Sequence, residues 1–380
     1  MTIKTISLLF RIPWSIVAAS CALVLLGLLG IARSEELAGA DARHCRLQLA
    51  WSIVAASAAM LVIGPDYRRW VRCSYGLFAA VLALLVAVYF LPTVHGTHRW
   101  IRLGTISVQP SEFAKVAYVL ALARWLMYRE AGEGFRGLLV PLGLTLLPLV
   151  LVLREPDLGT AMVFLPVLFV MLFAAGVRVN QLAALSLCGA LCLPVLWTQM
   201  SREQRSRVTA LFAQNLPRES PTDDGYHLHQ AKQLLALGGI WGSLWAGEAS
   251  DDPAAYRLPE DHTDFIFIVL CERLGWSGAA AVLGLMVVIC WRGLVVAERT
   301  REPFGRLAAV GVVALFAVQA LINTAMTVGI LPVTGLSLPL VSYGGSGLVA
   351  HAVALGILCN VALHPGYEVA GEPFRYRHIS

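Results

Sequence analysis

Long apolar runs recur along the whole chain and are separated by short polar segments. A helix needs about 20 apolar residues to cross the hydrocarbon core of a bilayer, and a window of that length predicts about ten spanning helices. No polar stretch is long enough for an independent soluble domain. Residues 1–380 are therefore expected to form one all-α, polytopic membrane domain, with spans near 12–32, 47–64, 72–92, 110–127, 137–153, 158–176, 181–198, 264–291, 307–331 and 343–364.

The composition agrees with a membrane protein. The 380 residues are 58% hydrophobic and 14% charged, with a mean hydropathy of +0.70, whereas about a quarter of the residues are charged in a soluble protein. The net charge of +5 is spread over short loops, which argues against nucleic acid as a partner. The eight cysteines show no zinc-site spacing, so we expect them to be buried packing residues.

Arginine is concentrated in alternate loops. By the positive-inside rule, these loops and both chain termini are predicted to lie in the cytoplasm. The longest loop, 199–263, is then extracytoplasmic, and it is polar with interleaved aromatic residues. Within it, residues 227–239 have the apolar spacing and glycine stop that predict a short amphipathic helix on the membrane surface. A loop of this length is either functional or a disordered linker, and the helix favours the first alternative.

An acidic cluster runs directly into the eighth predicted span. Asp264 follows two acids and His262 and is succeeded by an apolar run, so its carboxylate is expected at the boundary between water and lipid. A carboxylate costs a few kcal/mol at the centre of a bilayer, and one at the mouth of a spanning helix therefore needs a partner or a chemical role. Helix capping by Thr263 or Asp264 is the simpler alternative.

The fourth span begins with a proline, an acid and a lysine. Pro110 suits the first turn of a helix, and Glu112 suits the positive end of the helix dipole. Glu112 and Lys115 are three residues apart, so they share a helix face and can pair. They form either a self-neutralising pair that lets the helix insert, or an open site in which Lys115 holds a diphosphate or a neighbouring carboxylate.

The sixth span opens on the same side with another acidic motif. Asp157, followed by Thr160, fits a helix N-cap, and capping alone is one explanation of the pair. The alternative is a shared, outward-facing polar pocket to which the charged residues of this face contribute. These residues are Arg99, Arg102, Glu112, Lys115, Arg154, Glu155, Asp157, His262 and Asp264.

Prolines, glycines and hydroxyl side chains crowd the segment between the last two spans, 331–347. Irregular backbone is tolerated at membrane depth only where it is buried in protein or lines a polar cavity, so we expect a broken or re-entrant segment. Gly344 and Gly345 could offer backbone amides to an anionic group. Close helix packing through small residues is the alternative.

In this order, these segments resemble the SEDS family of polytopic cell-wall proteins, the RodA/FtsW-like proteins. Each piece alone is weak, whereas the ordered set is specific and runs through most of the chain. The matching residues are 99–101, 109–112 and Lys115, then 156–161, then Gly225, Tyr226 and Gln230, then 258–260 and 262–265, then 323–326 and Gly329, and finally Leu338, Pro339 and 342–346.

The resemblance implies a peptidoglycan glycosyltransferase that polymerises lipid II at the outer face of the bacterial plasma membrane, for cell elongation or cell division, together with a class B penicillin-binding protein. It implies that Asp264 is the essential carboxylate and that a hydrophobic groove between early spans holds the undecaprenyl tail. The supporting residues carried over with the motifs are Glu112, Lys115, Asp157, Arg99, Gln230, His262, Thr263, Ser342, Gly344, Gly345 and Ser346.

The chemistry of such a reaction agrees with these residue types. Sugar transfer from a lipid diphosphate needs a base for the proton of the acceptor hydroxyl and positive charge for the departing diphosphate. Asp264 is the candidate base, and Lys115, Arg99 and Arg207 are the candidate cations. A carboxylate beside Lys115 would stay ionised at neutral pH. No metal-ligand motif is present, and a divalent cation such as Mg²⁺ or Mn²⁺ is a further candidate for stabilising the charge.

Three features depart from the family pattern. Arg273 follows Glu272 where a second acid is usual, and Ala231 stands where serine is common. The stretch 242–257 lacks the usual glycine and glutamine pattern. Ala231 and the stretch 242–257 lie in the long loop 199–263, Arg273 lies in the eighth predicted span, and Asp264 itself is unchanged.

Two functions of other classes use the same features. A lipid-linked precursor flippase needs polar residues on both sides of the membrane midplane, whereas the charges in this chain cluster on the outer side. A non-catalytic membrane scaffold for a penicillin-binding protein needs only the spans, and the departures in the loop favour it. Loss of lipid II polymerisation in Asp264→Ala is expected only for the enzyme.

Overall fold

The computed structural model describes residues 12–39, 41–92, 98–104, 106–128, 134–212, 224–250, 253–256 and 258–364. These residues form a helical bundle with one short antiparallel hairpin. The elements are α1 (Trp14–Ala38), α2 (Arg43–Ile63), α3 (Arg68–Val88), β1 (Ile101–Leu103), β2 (Ile106–Val108), α4 (Pro110–Leu126), α5 (Leu139–Arg154), α6 (Leu158–Ala174), α7 (Val179–Gln199), α8 (Arg202–Phe212), α9 (Asp224–Gly238), α10 (Ser243–Ala246), α11 (Ile266–Leu274), α12 (Trp276–Arg299), α13 (Pro303–Thr327) and α14 (Gly345–Leu363), with single 3₁₀ turns at Arg136–Leu138 and Pro253–Tyr256.

Several helices start where the local sequence predicts. α4 begins at Pro110 and carries Glu112 in its first turn, as expected from the fixed φ of proline and the helix dipole. α6 follows Asp157, whose Oδ1 accepts a hydrogen bond from the Thr160 amide at 3.1 Å, which confirms the predicted N-cap. Glu302 caps α13 in the same way. Each cap satisfies a backbone donor that a helix start leaves unpaired.

Burial divides the bundle into inner and outer helices. α4, α13 and α14 are buried along most of their length, whereas α7 is exposed over most of its length. The exposed side chains of α7 are apolar, as at Leu187 and Leu191, which is expected where a helix faces lipid tails. Within the described residues, seven helices are long and apolar enough to cross a membrane.

The predicted span 264–291 is wrong in its bounds, whereas each of the other predicted ranges overlaps one long helix. The chain breaks at Gly275 into α11 and α12, and α12 continues to Arg299. Gly275 has φ +65°, and a Cβ there would lie 2.3 Å from the carbonyl oxygen of Ile240. The amide of Trp276 donates to that same oxygen at 3.1 Å. A contact with the distant outer loop therefore sets the break, and a hydropathy window cannot detect it.

The prediction that the cysteines are buried is wrong for half of them. All eight are free thiols; two are buried and two are half-buried. An apolar run predicts that a helix lies in the membrane, but it does not tell which face meets protein and which meets lipid. The four thiols on exposed helix faces are Cys21, Cys73, Cys188 and Cys192.

The segment between α13 and α14, residues 328–344, is irregular, as predicted, and much of it is buried inside the bundle. Two glycines allow its close packing. A Cβ on Gly159 of α6 would lie 2.6 Å from the carbonyl oxygen of Thr334, and a Cβ on Gly345 would lie 2.2 Å from the Trp51 ring of α2. Because no side chain fits at such distances, glycine brings this segment and its neighbouring helices together.

Candidate functional site

Asp264 lies in a tight turn at the end of the bundle where α4, α6 and α14 begin, which we call the site end. Three consecutive amides, those of residues 263–265, approach the carbonyl oxygen of Glu260 at 3.1 to 3.3 Å. α11 starts at Ile266 with no side-chain cap. The alternative that Thr263 or Asp264 serves as a helix cap is therefore wrong. The half-buried carboxyl of Asp264 does not cap α11.

Charged groups surround the carboxyl of Asp264. A Cβ at Gly335 would lie 3.5 Å from Oδ2 of Asp264 and 3.7 Å from Nη1 of Arg207, so both side chains reach the same glycine. Burial and the neighbouring charge of Glu260 raise the pKa of Asp264 to about 7, against the lowering effect of Arg207. The carboxyl is thus close to half-ionised at neutral pH, which suits a group that must take up and release a proton.

Asp157 both caps α6 and faces the site, so its two predicted roles are compatible. Its Oδ1 accepts from the Thr160 amide, while its Oδ2 accepts from the Thr160 hydroxyl at 2.9 Å and from Nε2 of Gln109 at 3.1 Å. Its charge also contributes to the raised pKa of Asp264. The cap fixes the direction of this carboxylate toward the site.

Arg99 holds the turn that precedes α6. Its Nε donates to the carbonyl oxygen of Glu155 at 2.7 Å, and its Nη2 donates to the carbonyl oxygen of Pro156. The positive charge of Arg99 lowers the pKa of Asp264 and so favours its ionised form. The predicted cation therefore acts on the carboxyl of Asp264 through its charge, while some of its donors are already bound to backbone.

Glu155 is an acid whose complete burial and raised pKa the sequence did not indicate. Its side chain is 0% exposed, and among the described residues neither carboxyl oxygen has a hydrogen-bond partner. Burial and the charge of Asp157 raise the pKa of Glu155 to about 8.

Within the described part of the chain, no group of three or more His, Cys, Asp or Glu side chains is arranged to hold a metal ion.

Lys115 forms a closed pair with Glu112. Its Nζ lies 2.8 Å from Oε1 of Glu112 and donates to Oε1 of Gln319 at 2.9 Å, and the two charged side chains are only 2% and 5% exposed. Of the two alternatives for this motif, the structure has the self-neutralising pair. The carboxylate beside Lys115 is therefore Glu112 rather than Asp264, whose charged neighbours are Glu260, Arg207, Asp157 and Arg99.

Two buried amides of α13 link this pair to the candidate base. Nε2 of Gln319 donates to the carbonyl oxygen of Ser337 at 3.0 Å. One turn further on, Nδ2 of Asn323 donates to the carbonyl oxygens of Leu336 at 2.6 Å and of Asp264 at 2.9 Å. Asn323 belongs to the residues that match the family pattern, and it lies four residues after Gln319 in an apolar helix, but neither signal indicated what the two amides bind.

The segment 328–344 supports the turn that carries Asp264. The hydroxyl of Ser342 donates to the carbonyl oxygen of Thr263 at 2.6 Å and accepts from the amide of Leu338 at 2.7 Å. The amide of Tyr343 donates to the carbonyl oxygen of His262 at 2.9 Å. Ser342 therefore acts on the main chain of the turn.

His262 and Thr263 keep their side chains near other groups of the same turn. The ring of His262 stacks on His44, with 4.7 Å between ring centroids, and its Nδ1 lies 3.1 Å from Oδ1 of Asp261. That hydrogen bond raises the pKa of His262. The hydroxyl of Thr263 donates to Oε2 of Glu260 at 2.9 Å. Both residues order the acidic turn.

Gly344, Gly345 and Ser346 serve packing in this structure. The amide of Gly344 donates to Oε1 of Gln48 at 3.2 Å, and the hydroxyl of Ser346 accepts from the amide of Gln109 at 3.2 Å. Gly345 lies against the Trp51 ring. Close packing through small residues therefore accounts for the motif, and the Gly344 amide is occupied by protein.

The outer loop contains the predicted helix as α9, which spans Asp224–Gly238. Nε2 of Gln230 donates to the hydroxyl of Tyr226 at 2.9 Å on the same helix. Ala231, at a position that departs from the family pattern, is fully buried, so a larger polar side chain would need rearrangement there.

Arg33 of α1 explains how the departure at Arg273 is accommodated. Its guanidinium binds the fully buried Glu272 with two hydrogen bonds, of 2.9 and 3.1 Å, and reaches Glu248 of the outer loop at 3.1 Å. Glu36 lies 3.2 Å from Arg33 and 4.0 Å from Arg273. The acid at 272 is thus paired inside the protein, and the basic residue after it meets an acid of α1.

An apolar groove of about 450 Å³ lies between α1, α2 and α14. Its walls are aliphatic, with Val24, Ala56 and Leu355 contributed by the three helices, and Leu340 of the irregular segment at one end. Leu340 is two residues before Ser342, which contacts the turn of Asp264. The groove therefore leads toward the candidate base.

A protein family matches almost the whole chain. The FtsW/RodA/SpoVE family of cell cycle proteins matches residues 8–366. The chain is 35% identical over 309 residues to the stage V sporulation protein E of Bacillus subtilis, covering 80% of this chain and 82% of that protein. It is 37% identical over 291 residues to the peptidoglycan glycosyltransferase MrdB of Escherichia coli K12, covering 76% and 77%.

Solved structures share the fold. The rod shape determining protein RodA of Thermus thermophilus superposes with a TM-score of 0.70 at 27% identity, covering 94% of this chain and 98% of that one. A chain from a peptidoglycan synthase complex that coordinates polymerisation and crosslinking superposes with a TM-score of 0.78 at 30% identity, covering 92% and 97%.

Proposed function

Because this chain belongs to the FtsW/RodA/SpoVE family of cell cycle proteins, we propose that it is a peptidoglycan glycosyltransferase that polymerises lipid II, with Asp264 as the general base. One observation carries the assignment of the base. Asp264 is a half-buried carboxyl whose pKa burial and Glu260 raise to about 7 against the lowering effect of Arg207 and Arg99, and it has no helix to cap. Membership of a family with glycosyltransferase members supports the reaction type.

In the proposed reaction, a hydroxyl oxygen of the acceptor sugar attacks the anomeric carbon of the lipid-linked donor. A glycosidic bond forms, the bond between the anomeric carbon and the diphosphate oxygen breaks, and its electron pair leaves on the diphosphate. Asp264 takes the proton of the hydroxyl. A positioned base contributes roughly 10²–10⁴-fold to such a reaction, and a base with a pKa of about 7 is close to half-ionised at neutral pH.

The departing diphosphate needs positive charge, which we assign to Arg207 and Arg99. Both act on the carboxyl of Asp264, so both lie near the reacting bond in the proposed complex. Lys115 is already bound to Glu112 and Gln319. We therefore propose that Lys115 shapes the site through its pair, and that the two arginines stabilise the leaving group.

The membrane supplies the donor. We propose that ten of the helices cross the bacterial plasma membrane, that both termini are cytoplasmic, and that the site end faces outward. The excess of arginine in alternate loops supports this orientation. The undecaprenyl tail is proposed to lie in the groove between α1, α2 and α14, because its aliphatic walls suit a polyprenyl chain and its end at Leu340 approaches the turn of Asp264.

The proposed protein partner is a class B penicillin-binding protein, which would crosslink the glycan strands in elongation or in division. The structural similarity to a chain of a peptidoglycan synthase complex supports this proposal. Isolation of the protein from its native membrane, followed by identification of the bound transpeptidase, distinguishes the elongation role from the division role.

Polymerisation by purified protein tests the function. The protein is reconstituted with its transpeptidase and incubated with labelled lipid II, and the products are separated by length. We expect glycan strands from the wild type and from Asp66→Asn, which alters an acid at the opposite end of the bundle, and none from Asp264→Ala. Equal polymerisation by Asp264→Ala and the wild type would remove Asp264 as the base. A wild type that binds its transpeptidase but forms no glycan strands from lipid II would favour the scaffold function.

A further inference from the structure

Asn323 is a fully buried side chain of α13 that binds two separate segments at once. Its Nδ2 donates to the carbonyl oxygen of Asp264 at 2.9 Å and to that of Leu336 at 2.6 Å. Its Oδ1 is buried and has no hydrogen-bond partner among the described residues. Within the described residues, Asn323 therefore uses both of its N–H donors and leaves its buried acceptor unpaired, which is unfavourable for a buried polar group.

The Asn323 bond completes a series along the turn that carries Asp264. Three consecutive carbonyl oxygens, those of residues 262, 263 and 264, accept in turn from the Tyr343 amide, the Ser342 hydroxyl and the Asn323 amide. The first two donors belong to the irregular segment, which follows α13. The third comes from a regular helix and holds the residue whose side chain is the proposed base.

Resting on the proposed function, we propose that Asn323 is a positioning residue for the reaction: it fixes the main chain of Asp264 against the segment at Leu336, and so sets the place of the carboxylate beside Gly335. The geometry supports this directly, because Leu336 is adjacent to Gly335, the residue that both Asp264 and Arg207 approach. The amide of Asn323 thus binds the main chain of Asp264 and that of Leu336 to the same turn of α13.

Gln319 extends the same support to the buried pair. It lies one turn before Asn323 on α13 and binds the next carbonyl oxygen of the segment, that of Ser337, while accepting from Lys115. Leu336 and Ser337 are therefore held by consecutive turns of one helix. A shift of this segment would move the backbone that the carboxyl of Asp264 approaches, and with it the position of the carboxyl. A misplacement of about 1 Å in an active site can cost about 10²-fold in rate.

The chain offers a matched control in Asn360 of α14. This asparagine is also fully buried, and its Nδ2 also binds several carbonyl oxygens, among them those of Val62 at 2.7 Å and Ile63 at 3.2 Å. It lies at the opposite end of the bundle from Asp264, where α2 and α14 end. Asn323→Leu and Asn360→Leu therefore remove the same kind of buried donor, one near the base and one far from it.

The experiment first establishes that the reconstituted wild type polymerises lipid II and that Asp264→Ala does not, which tests the proposed function separately. Both leucine variants are then compared by thermal unfolding, kcat, KM for lipid II and the pH dependence of kcat/KM. Because Oδ1 of Asn360 also accepts from the amide of Tyr67 at 3.1 Å, we expect Asn360→Leu to lose at least as much Tm as Asn323→Leu. A kcat reduced about 10²-fold is expected only in Asn323→Leu, with little change in KM. The acid limb of that variant should move to lower pH, because a loosened turn admits water to the carboxyl of Asp264.

Equal kcat values in the two leucine variants, or an unchanged pH profile in Asn323→Leu, would overturn the proposal and leave Asn323 a packing residue. Ser342→Ala provides a second variant if Asn323→Leu does not fold, since it removes a single hydroxyl, which donates to the neighbouring carbonyl oxygen of Thr263 and accepts from the amide of Leu338. It is expected to lower kcat in the same direction by a smaller factor, and a wild-type kcat in this variant would also contradict the proposal.

Discussion

Two acids at the site end have opposite surroundings. Glu112 is buried and bound at 2.8 Å to Lys115, whose ammonium also binds Gln319. Asp264 is half-buried, lies between charges of both signs, and has a pKa raised to about 7, chiefly by burial. The first carboxylate is neutralised by a dedicated partner, whereas the second is held near the point where it exchanges a proton.

The difference shows that the availability of a charge depends on its partners and not on its position in a motif. Both acids lie at or just before the start of an apolar helix, and the sequence places both of them in one outward-facing polar pocket. A buried ion pair is costly to break because the remaining charge is left without compensation. The half-buried carboxyl of Asp264 lies among charges of both signs and can take up or release a proton without breaking a buried ion pair, and this makes it suitable for chemistry.

The largest effect on stability is expected from breaking the closed pair. Lys115→Met leaves the carboxylate of Glu112 buried without its cation, and the free energy of unfolding should fall by about 3–5 kcal/mol. Replacing both residues in Glu112→Leu with Lys115→Met should recover most of that loss, because no uncompensated charge remains. Denaturant unfolding in detergent of the wild type, the single variants Lys115→Met and Glu112→Leu, and the double variant measures the coupling between the two side chains.

Arg68→Met is the matched control for the pair. Nε of Arg68 lies 3.6 Å from Asp66, and both side chains are well exposed, so the loss should be below about 1 kcal/mol. If Lys115→Met is no more destabilising than Arg68→Met, Lys115 is not engaged in a closed pair, and the contrast with Asp264 disappears.

Local signals in the sequence were sufficient for much of this region. The start of α4 at Pro110, the cap of α6 by Asp157 and the helix over 227–239 depend on residues a few positions apart, and each is present in the structure. The pairing of Glu112 with Lys115 follows from their spacing on one helix face. What the sequence left open was whether that pair is closed.

Contacts between distant segments account for what was missed. The break at Gly275 depends on Ile240, and the partner of Glu272 is Arg33, 239 positions away. The donors Gln319 and Asn323 are invisible to a hydropathy window because they lie in an otherwise apolar helix. Hydrogen bonds across a bundle have no fixed sequence spacing, so the partner of a buried amide cannot be inferred from one chain's pattern.

Replacing Asp264 by a neutral side chain should stabilise the protein, whereas removing the charge of Lys115 should destabilise it. The pKa of Asp264 rises from its ordinary 3.8 to about 7 on folding, so the unfolded chain releases this proton well before the folded chain does. Its contribution to the free energy of unfolding therefore declines as the pH rises from about 4 to 7 and stays low above 7. Asp264→Asn should raise Tm, and by more at pH 8 than at pH 5, as thermal unfolding at the two pH values will show. If Asp264→Asn has a lower Tm than the wild type at pH 8, the ionised carboxylate of Asp264 is stabilised by its partners in the folded protein.

The smallest effects are shifts of the pH profile, and their opposite signs make them the sharpest test of the open site. The charge of Glu260 raises the pKa of Asp264 and that of Arg207 lowers it. Glu260→Gln should therefore move the acid limb of kcat/KM to lower pH, and Arg207→Met should move it to higher pH, in addition to lowering the plateau because a candidate cation is lost. The measurement is the rate of lipid II polymerisation between pH 5 and 9. Shifts of the same sign in both variants would mean that a group other than Asp264 controls the acid limb, since these two charges act on that carboxyl in opposite directions.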